Sequence, residues 1–159
     1  MEIKKGDWVI HCAHGLGQVV GLEEQANNGK ASIYYMVQLT DLTIWVPDDE
    51  NLENRLRFPS TKSEFQKMLN ILSSKAEALP TDRRQRTLQL QETLRDGRTE
   101  SLCRVIRDLQ AVRGAKTWSE YDSAILKRAQ KALSSEWSYV HSISTNEAEV
   151  QLSQSLSSK

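Results

Sequence analysis

The segment His11-Cys12-Ala13-His14 is the one place in the sequence where side chains able to bind a metal ion are clustered. Imidazole and thiolate groups are good zinc ligands, but a structural zinc site usually has four ligands, often in spaced pairs. A fourth ligand is missing here unless Cys103 or His141 folds back. We therefore interpret the segment as ordinary strand and turn residues, and we predict neither a bound metal nor a cofactor.

Other signatures of catalysis are equally weak. His14-Gly15-Leu16-Gly17-Gln18 has two glycines but neither the G-x-G-x-x-G pattern nor a following helix, so no dinucleotide site is indicated. Asp48-Asp49-Glu50 lacks the alternating ligand spacing of a calcium loop and is interpreted as the solvated end of a strand. Without a nucleophile–base or metal arrangement, the sequence predicts that the protein is not an enzyme.

A basic stretch is more informative than these motifs. Residues 83–113 contain eight arginines and four acidic residues. The forked guanidinium group suits phosphate oxygens and the narrow minor groove of DNA. Helical periodicity places Arg104 and Arg107 away from the apolar face, so both are expected to point to solvent. The candidate DNA-contacting residues are Arg83, Arg84, Arg86, Arg95, Arg104 and Arg107. The alternative is a solvated, salt-bridged surface.

Charge is distributed unevenly between the two parts of the chain. Residues 1–58 carry 5 basic and 9 acidic side chains, a net charge of −4, whereas residues 59–159 carry 16 and 12, a net charge of +4. Such asymmetry suggests different partners for the two parts. The sequence shows neither a signal peptide nor an apolar run of roughly 20 residues. Together with two separate cysteines, interpreted as free thiols, this predicts a cytoplasmic protein without a membrane partner.

The N-terminal part has the pattern of short β-strands. Strands are expected over residues 7–10, 18–22, 32–39 and 43–46, the last stopped by Pro47. Asn27-Asn28-Gly29-Lys30 is a hairpin signal, because Asn and Gly tolerate positive φ. Four or five short strands within about fifty residues predict a small β-barrel of the SH3 or Tudor type.

After Pro59 the pattern changes to helices. Thr61-Lys62-Ser63-Glu64 fits a capping box, a second helix is expected near residues 82–95, and Thr99 begins a third. Thr117-Trp118-Ser119-Glu120 is interpreted as the capping box of a longer helix, and Ser144 begins a short last one before a fraying tail at 153–159. The apolar side of the longer helix is predicted to consist of Tyr121, Ile125, Ala129, Leu133 and Val140, with Trp118 and Trp137 in the core.

These patterns predict a two-domain α+β protein. A small SH3/Tudor-like β-barrel over residues 1–58 precedes an all-α bundle of about five helices over residues 59–159, with a hinge near Phe58-Pro59.

Several segments together resemble the CarD family, also called CdnL, of bacterial transcription regulators that bind RNA polymerase. The resemblance covers most of residues 4–140, in order and with matching domain lengths. Residues 1–58 are also similar to the polymerase-interacting module of transcription-repair coupling factors. The segments are Lys5–Ile10, His14–Glu23, Gly29, Tyr34–Val37, Ile44–Pro47, Arg55–Arg57, Leu79–Asp82, Leu94–Gly97 and Val105–Leu109.

The resemblance implies that the Tudor-like domain binds the β subunit of RNA polymerase and that the helical domain meets promoter DNA near the upstream edge of the melted bubble. It also implies association with the nucleoid through polymerase. In the family, a tryptophan wedges into the minor groove and stabilises the open complex. The corresponding position here is Arg83, which can contact phosphates but cannot insert apolar surface between bases.

The family's polymerase-facing edge corresponds to the hairpin and a neighbouring strand. The matching residues are Gln25, Ala26, Asn27 and Trp45, and the family often has basic residues where this chain has Gln25 and Trp45. Strand alternation predicts that Trp45 points outward if Ile44 and Val46 point inward, the alternative being a place in the barrel core.

Two hypotheses follow from this resemblance. The first is a transcription regulator that binds polymerase through its barrel, contacts promoter DNA through basic helices and modulates open-complex formation. The second is an adaptor that docks to polymerase or another protein without wedging DNA, which the replacement of the tryptophan by Arg83 favours.

Overall fold

The computed structural model describes residues 2–157, apart from the side chain of Asn27. The chain divides into two compact units between Pro59 and Ser60. Unit 1 contains a five-stranded antiparallel sheet and one short helix, and unit 2 contains five further helices. The predicted α+β class, with a Tudor-like β domain before a helical domain, is confirmed.

Unit 1 is a sheet with the strand order β4-β3-β2-β1-β5. The strands are β1 (Trp8–His11), β2 (Gly15–Asn27), β3 (Lys30–Gln38), β4 (Thr43–Pro47) and β5 (Leu56–Arg57), with the short helix α1 (Leu52–Arg55) before β5. Apolar side chains of alternate residues, among them Val9, Val19, Val37 and Val46, form its buried core. Alternation places them on one face because successive strand residues point to opposite sides of the sheet.

The hairpin between β2 and β3 forms where its sequence predicts it. Asn27 pairs with Lys30, and the two connecting residues, Asn28 and Gly29, have φ values of 53° and 80°. Positive φ at both central residues is the requirement that favours Asn-Gly in two-residue hairpins. A register shift between Val19 and Gly21 marks a bulge in β2.

Unit 2 is built from the helices α2 (Lys62–Ser73), α3 (Arg83–Leu94), α4 (Thr99–Val112), α5 (Glu120–His141) and α6 (Thr145–Ser157). The predicted capping box at Thr61 and Glu64 is confirmed, and Asp82 caps α3. One apolar core, which includes Phe65, Leu90 and Leu133, is shared by the five helices. None of the helices within residues 2–157 has the length and apolarity needed to span a membrane.

The start of α5 differs from the prediction. Its capping box joins Ser119 and Asp122, two residues after the predicted one. The predicted apolar face is also wrong at Tyr121, which is 72% exposed. The buried face of this helix instead includes Leu126 and Trp137. With Ala129 and Leu133 they fall at i, i+3, i+7 and i+11, which places them on the side of the helix that meets the core.

Helix α6 is longer than the sequence suggested. It continues to Ser157, through most of the segment expected to fray. Ala148 and Leu152, one turn apart, are buried in the core of unit 2 and anchor the helix. Trp118 packs against this core and Trp137 is buried within it, as predicted.

Candidate protein and nucleic-acid interfaces

Trp45 lies in β4, an edge strand of the sheet, and is 46% exposed. Its neighbour Val46 is buried, so the outward orientation predicted from alternation is confirmed and the core alternative is wrong. An exposed indole on a strand with one unpaired edge is typical of a protein-binding surface, since tryptophan is enriched among interface anchors.

Glu23 on β2 accepts a hydrogen bond from the indole N–H of Trp45. The strand registers explain how they meet: Trp45 pairs with Met36, and Glu23 pairs with Tyr34, two residues along the same face of β3. This carboxylate fixes the indole at the sheet surface. Sequence analysis missed Glu23, although its position two residues before Gln25 places the two on one face.

The four predicted polymerase-binding residues do not form one group. Gln25 pairs with Ser32 and shares the face of Glu23 and Trp45, whereas Ala26 pairs with Ala31 and points to the other face. Asn27 belongs to β2, but its side chain lies outside the described part of the chain. The structure therefore places Gln25 and Trp45, but not Ala26, on a common surface.

Four of the six predicted DNA-contacting arginines are on the surface of unit 2. Arg83 and Arg84 begin α3, and the Nε of Arg83 donates to the Thr117 carbonyl over 3.0 Å. The side chains of Arg95 and Arg104 are 79% and 52% exposed; Arg95, directly after α3, pairs with Glu92, and Arg104 pairs with Glu100 one turn away on α4. Such exposed pairs are weak, so these guanidinium groups remain able to exchange a carboxylate for a phosphate.

Arg86 is inside unit 2, so the expectation that it belongs to a DNA-facing surface is corrected. Its side chain is 3% exposed and its Nη2 lies 2.6 Å from Asp122 Oδ2. The same guanidinium donates to the Pro80 and Thr117 carbonyls. Burial by itself raises the pKa of the Asp122 carboxyl, but hydrogen bonds from Arg86 and Ser119 outweigh it, and the net pKa lies below the ordinary value.

Arg107 is also buried, and the prediction that it points to solvent is wrong. It is 6% exposed and donates from Nε to Asp108 Oδ1 over 2.9 Å and from Nη1 to Ser74 Oγ over 2.9 Å. The physical reason is that α4 contacts α2, α3 and α5, so more than one of its faces is covered. The side chain of Arg104 is exposed, so the prediction that Arg104 points to solvent is confirmed.

The histidine segment forms the end of β1 and the turn after it. The rings of His11 and His14 are 5.0 Å apart, and His11 Nδ1 accepts hydrogen bonds from the backbone N–H groups of Ala13 and His14. Burial, with smaller contributions from His14 and Arg55, lowers the pKa of His11. Within residues 2–157, no three His, Cys, Asp or Glu side chains are grouped as metal ligands.

Each of the two units matches a known protein family. Residues 3–57 match the family described as the CarD-like/TRCF RID domain, and residues 67–153 match the CarD C-terminal domain. No curated protein matches the chain. The two matches follow the same order as the two structural units, and the second alone spans more than half of the chain.

Proposed function

The chain belongs to the CarD family, and from this premise we propose that it binds the β subunit of bacterial RNA polymerase through unit 1 and contacts promoter DNA through unit 2. CarD-like domains make it a transcription-related protein that interacts with RNA polymerase, in a family of non-enzymatic regulators. The observation that carries the proposal is the pair of matches, one in each unit. Contact near the upstream edge of the bubble would modulate open-complex formation.

The proposed polymerase surface is the sheet face that presents Glu23, Gln25 and Trp45. Trp45 supplies the large apolar group, and Glu23 holds its indole N–H. The free edge of β4 adds main-chain groups of the kind that carry strand-to-strand recognition. Since the net charge of residues 1–58 is −4, the complementary polymerase surface should be neutral or basic where it meets this face.

A binding measurement with core RNA polymerase tests this surface. We expect Trp45→Ala in the full chain to weaken binding roughly 30-fold or more, the loss typical of a tryptophan hot spot. Trp8→Ala is the matched control, because Trp8 is also an exposed tryptophan of the sheet but lies on β1, three strands from Trp45. Equal affinities for the wild type and both variants would exclude this face, and no binding by the wild type would exclude the proposal as a whole.

The proposed DNA contact rests on the exposed arginines at the beginning of α3 and on Arg95 and Arg104. We expect Arg84→Glu to reduce protection of promoter DNA in polymerase complexes. The slope of the logarithm of the DNA-binding constant against the logarithm of the salt concentration should become smaller by about one. Lys127→Glu, at an exposed residue of α5, is the control for charge alone. Polymerase binding should be unchanged in both.

The adaptor hypothesis remains a second candidate because two of the six predicted DNA-contacting arginines, Arg86 and Arg107, are occupied inside unit 2. If the protein is an adaptor, the wild type binds polymerase but protects no promoter DNA. The Arg84→Glu experiment separates the hypotheses, since only a DNA-contacting protein loses protection when polymerase binding is intact.

A further inference from the structure

On the sheet face opposite Trp45, the β2–β3 hairpin presents two apolar side chains that the core of unit 1 does not cover. Leu22 pairs with the buried Tyr35 and is 52% exposed, and Ile33, two residues before Tyr35, is 47% exposed. Paired residues, and residues two apart on one strand, share a face of the sheet. Diagonal neighbours on adjacent strands lie about 7–8 Å apart, so Leu22 and Ile33 expose a joint apolar patch.

Two carboxylates border this apolar patch. Glu24 on β2 pairs with Ile33, and the backbone N–H of Asp48, the residue after β4, donates to the Ile33 carbonyl over 2.9 Å. Burial, and then the charge of Asp48 and a hydrogen bond with it, raise the pKa of the Tyr35 hydroxyl. The Asp48 carboxylate therefore lies on the face of Tyr35 and Ile33. Both acidic residues are exposed, so the apolar patch lies in a negative potential.

The same hairpin has an unpaired strand edge. β1 pairs with β2 only as far as Gln18, and Val19 still donates to the Asp7 carbonyl over 2.8 Å. From Val20 onward, β2 pairs with β3 alone among residues 2–157. Residues 20–26 therefore present main-chain N–H and C=O groups on a side where no further strand lies. An unpaired edge beside apolar side chains is the arrangement to which an extended segment adds as a new strand.

Charge decides between a second copy of the chain and a different partner at this edge. A second copy that added its own β2 edge over residues 20–26 would bring the carboxylates of Glu23 and Glu24 from both copies together. Like charges on facing strands are destabilising, and residues 1–58 carry a net charge of −4. A basic segment would instead place a cation opposite Glu24. The charge of the edge therefore favours a basic partner over self-association.

We propose that the β2 edge over residues 20–26 binds an extended basic segment of another protein as an added strand. Leu22, Glu24 and Ala26 lie on one face and define the complementary sequence. It has an apolar residue, a lysine or arginine, and a second apolar residue, each two positions from the next. The inference goes beyond the proposed function, because it uses the edge of β2 and the face opposite Trp45, whereas the proposed polymerase surface uses the edge of β4 and the face of Trp45.

The test is a titration of the ¹⁵N-labelled full chain with the end-blocked peptide Thr-Val-Thr-Lys-Thr-Val-Thr, followed by the amide signals of residues 20–26. The peptide sequence is the same in both directions, so parallel and antiparallel addition are both measured. We expect a saturable shift confined to the β2–β3 hairpin. The matched peptide with glutamate in place of lysine should bind at least about fivefold more weakly. Glu24→Lys should reverse this preference, whereas Asp41→Lys, at an exposed residue between β3 and β4, should keep it.

A preference for the lysine peptide that Glu24→Lys reverses would support the inference. No shift at residues 20–26 with either peptide would overturn strand addition, and equal binding of both peptides would overturn the basic partner. Shifts at this edge that grow with protein concentration alone, together with a doubled mass in sedimentation, would assign the edge to a second copy. Core RNA polymerase should bind the wild type and Glu24→Lys equally. Weaker binding of Glu24→Lys would make the edge part of the polymerase surface and overturn the inference of a separate site.

Discussion

Arg86 of α3 and Asp122 of α5 form a buried ion pair with two hydrogen bonds, Nε to Oδ1 over 2.9 Å and Nη2 to Oδ2 over 2.6 Å. The same arginine donates to backbone carbonyls before α3 and before α5, and the same carboxylate completes the capping box of α5 with Ser119. Two helix N-termini are therefore organised by one pair of side chains. The pair positions the surface residues Arg83 and Tyr121, although neither Arg86 nor Asp122 reaches solvent.

Loss of Arg86 should strongly destabilise unit 2. In Arg86→Ala the Asp122 carboxylate stays buried without its cation, and removing one partner of a buried pair costs about 3–5 kcal/mol of unfolding free energy. Arg84→Ala, at an exposed neighbouring residue, is the control and should change the unfolding free energy by less than about 0.5 kcal/mol. Urea unfolding followed by helical circular dichroism reports unit 2, which holds the five long helices. A loss below about 1 kcal/mol in Arg86→Ala would contradict this role of the pair.

The same ion pair predicts acid sensitivity. Since the pKa of Asp122 is lowered in the fold, its contribution to stability is complete above the unfolded pKa and disappears as the pH falls through the lower, folded one. We expect wild-type unit 2 to lose stability below about pH 4, the ordinary range of an aspartate. Asp122→Asn should be less stable at pH 7, and its difference from the wild type should shrink toward pH 2. A constant difference across this range would argue against a lowered pKa at Asp122.

Local signals in the sequence were sufficient to predict much of the fold. The Asn28-Gly29 hairpin and the capping box of Thr61 and Glu64 were found because turn and cap geometry depend on residues within three positions of one another. The outward orientation of Trp45 followed from strand alternation for the same reason. The capping box of α5 was misplaced because Thr117 and Ser119 both have side-chain oxygens able to cap a helix. In the structure Ser119 is the cap, and its partner Asp122 also binds Arg86 of another helix.

The burial of Arg86 and Arg107 could not be predicted in this way. Arg86 and Asp122 are 36 residues apart, so their pairing exists only once α3 and α5 have packed. The apolar stripe of α4 implied one buried face, but three neighbouring helices cover more of it, and Arg107 lies under that cover with Asp108. A helical pattern describes one helix, whereas the burial of a polar residue depends on all its neighbours.

The two cysteines should differ in reactivity. Both are free thiols, but Cys103 is completely buried, and burial raises its pKa to about 12, whereas Cys12 is partly exposed. Because the thiolate is the reactive form, a chromogenic disulfide reagent at pH 8 should modify Cys12 quickly and Cys103 only when unit 2 unfolds. Cys12→Ser should then react only at the unfolding rate. Rapid labelling of that variant in native conditions would contradict the burial of Cys103.

Gly17 should be sensitive to the addition of a side chain, because it packs closely against neighbouring residues of unit 1. A Cβ there would lie 2.7 Å from Val37 Cγ1 and 2.8 Å from Leu39 Cδ2. Gly17→Ala must therefore displace β3, and such overpacking typically costs about 1–3 kcal/mol. Backbone hydrogen exchange should become faster in unit 1 and stay unchanged in unit 2. Gly21→Ala is the matched control, since its nearest contact would be the Met36 sulfur at 3.8 Å.

His141 should make unit 2 sensitive to mildly acidic pH. Its ring lies 3.8 Å from that of Trp137, and its Nε2 is buried without a hydrogen-bond partner in residues 2–157. Burial, and then the nearby Lys62, lower the pKa of His141 because the protonated ring would lose water and face a like charge.

The direction of this pH dependence follows from the lowered pKa. The unfolded chain binds the proton more readily, so the contribution of His141 to stability is complete above the unfolded pKa, near 6.5, and is lost as the pH falls below it. His141→Phe keeps an aromatic ring beside Trp137 but cannot titrate, so it should unfold at the same urea concentration at pH 7.5 and pH 5.5. The wild type should unfold at a lower concentration at pH 5.5, and equal shifts in both proteins would assign the effect to another group.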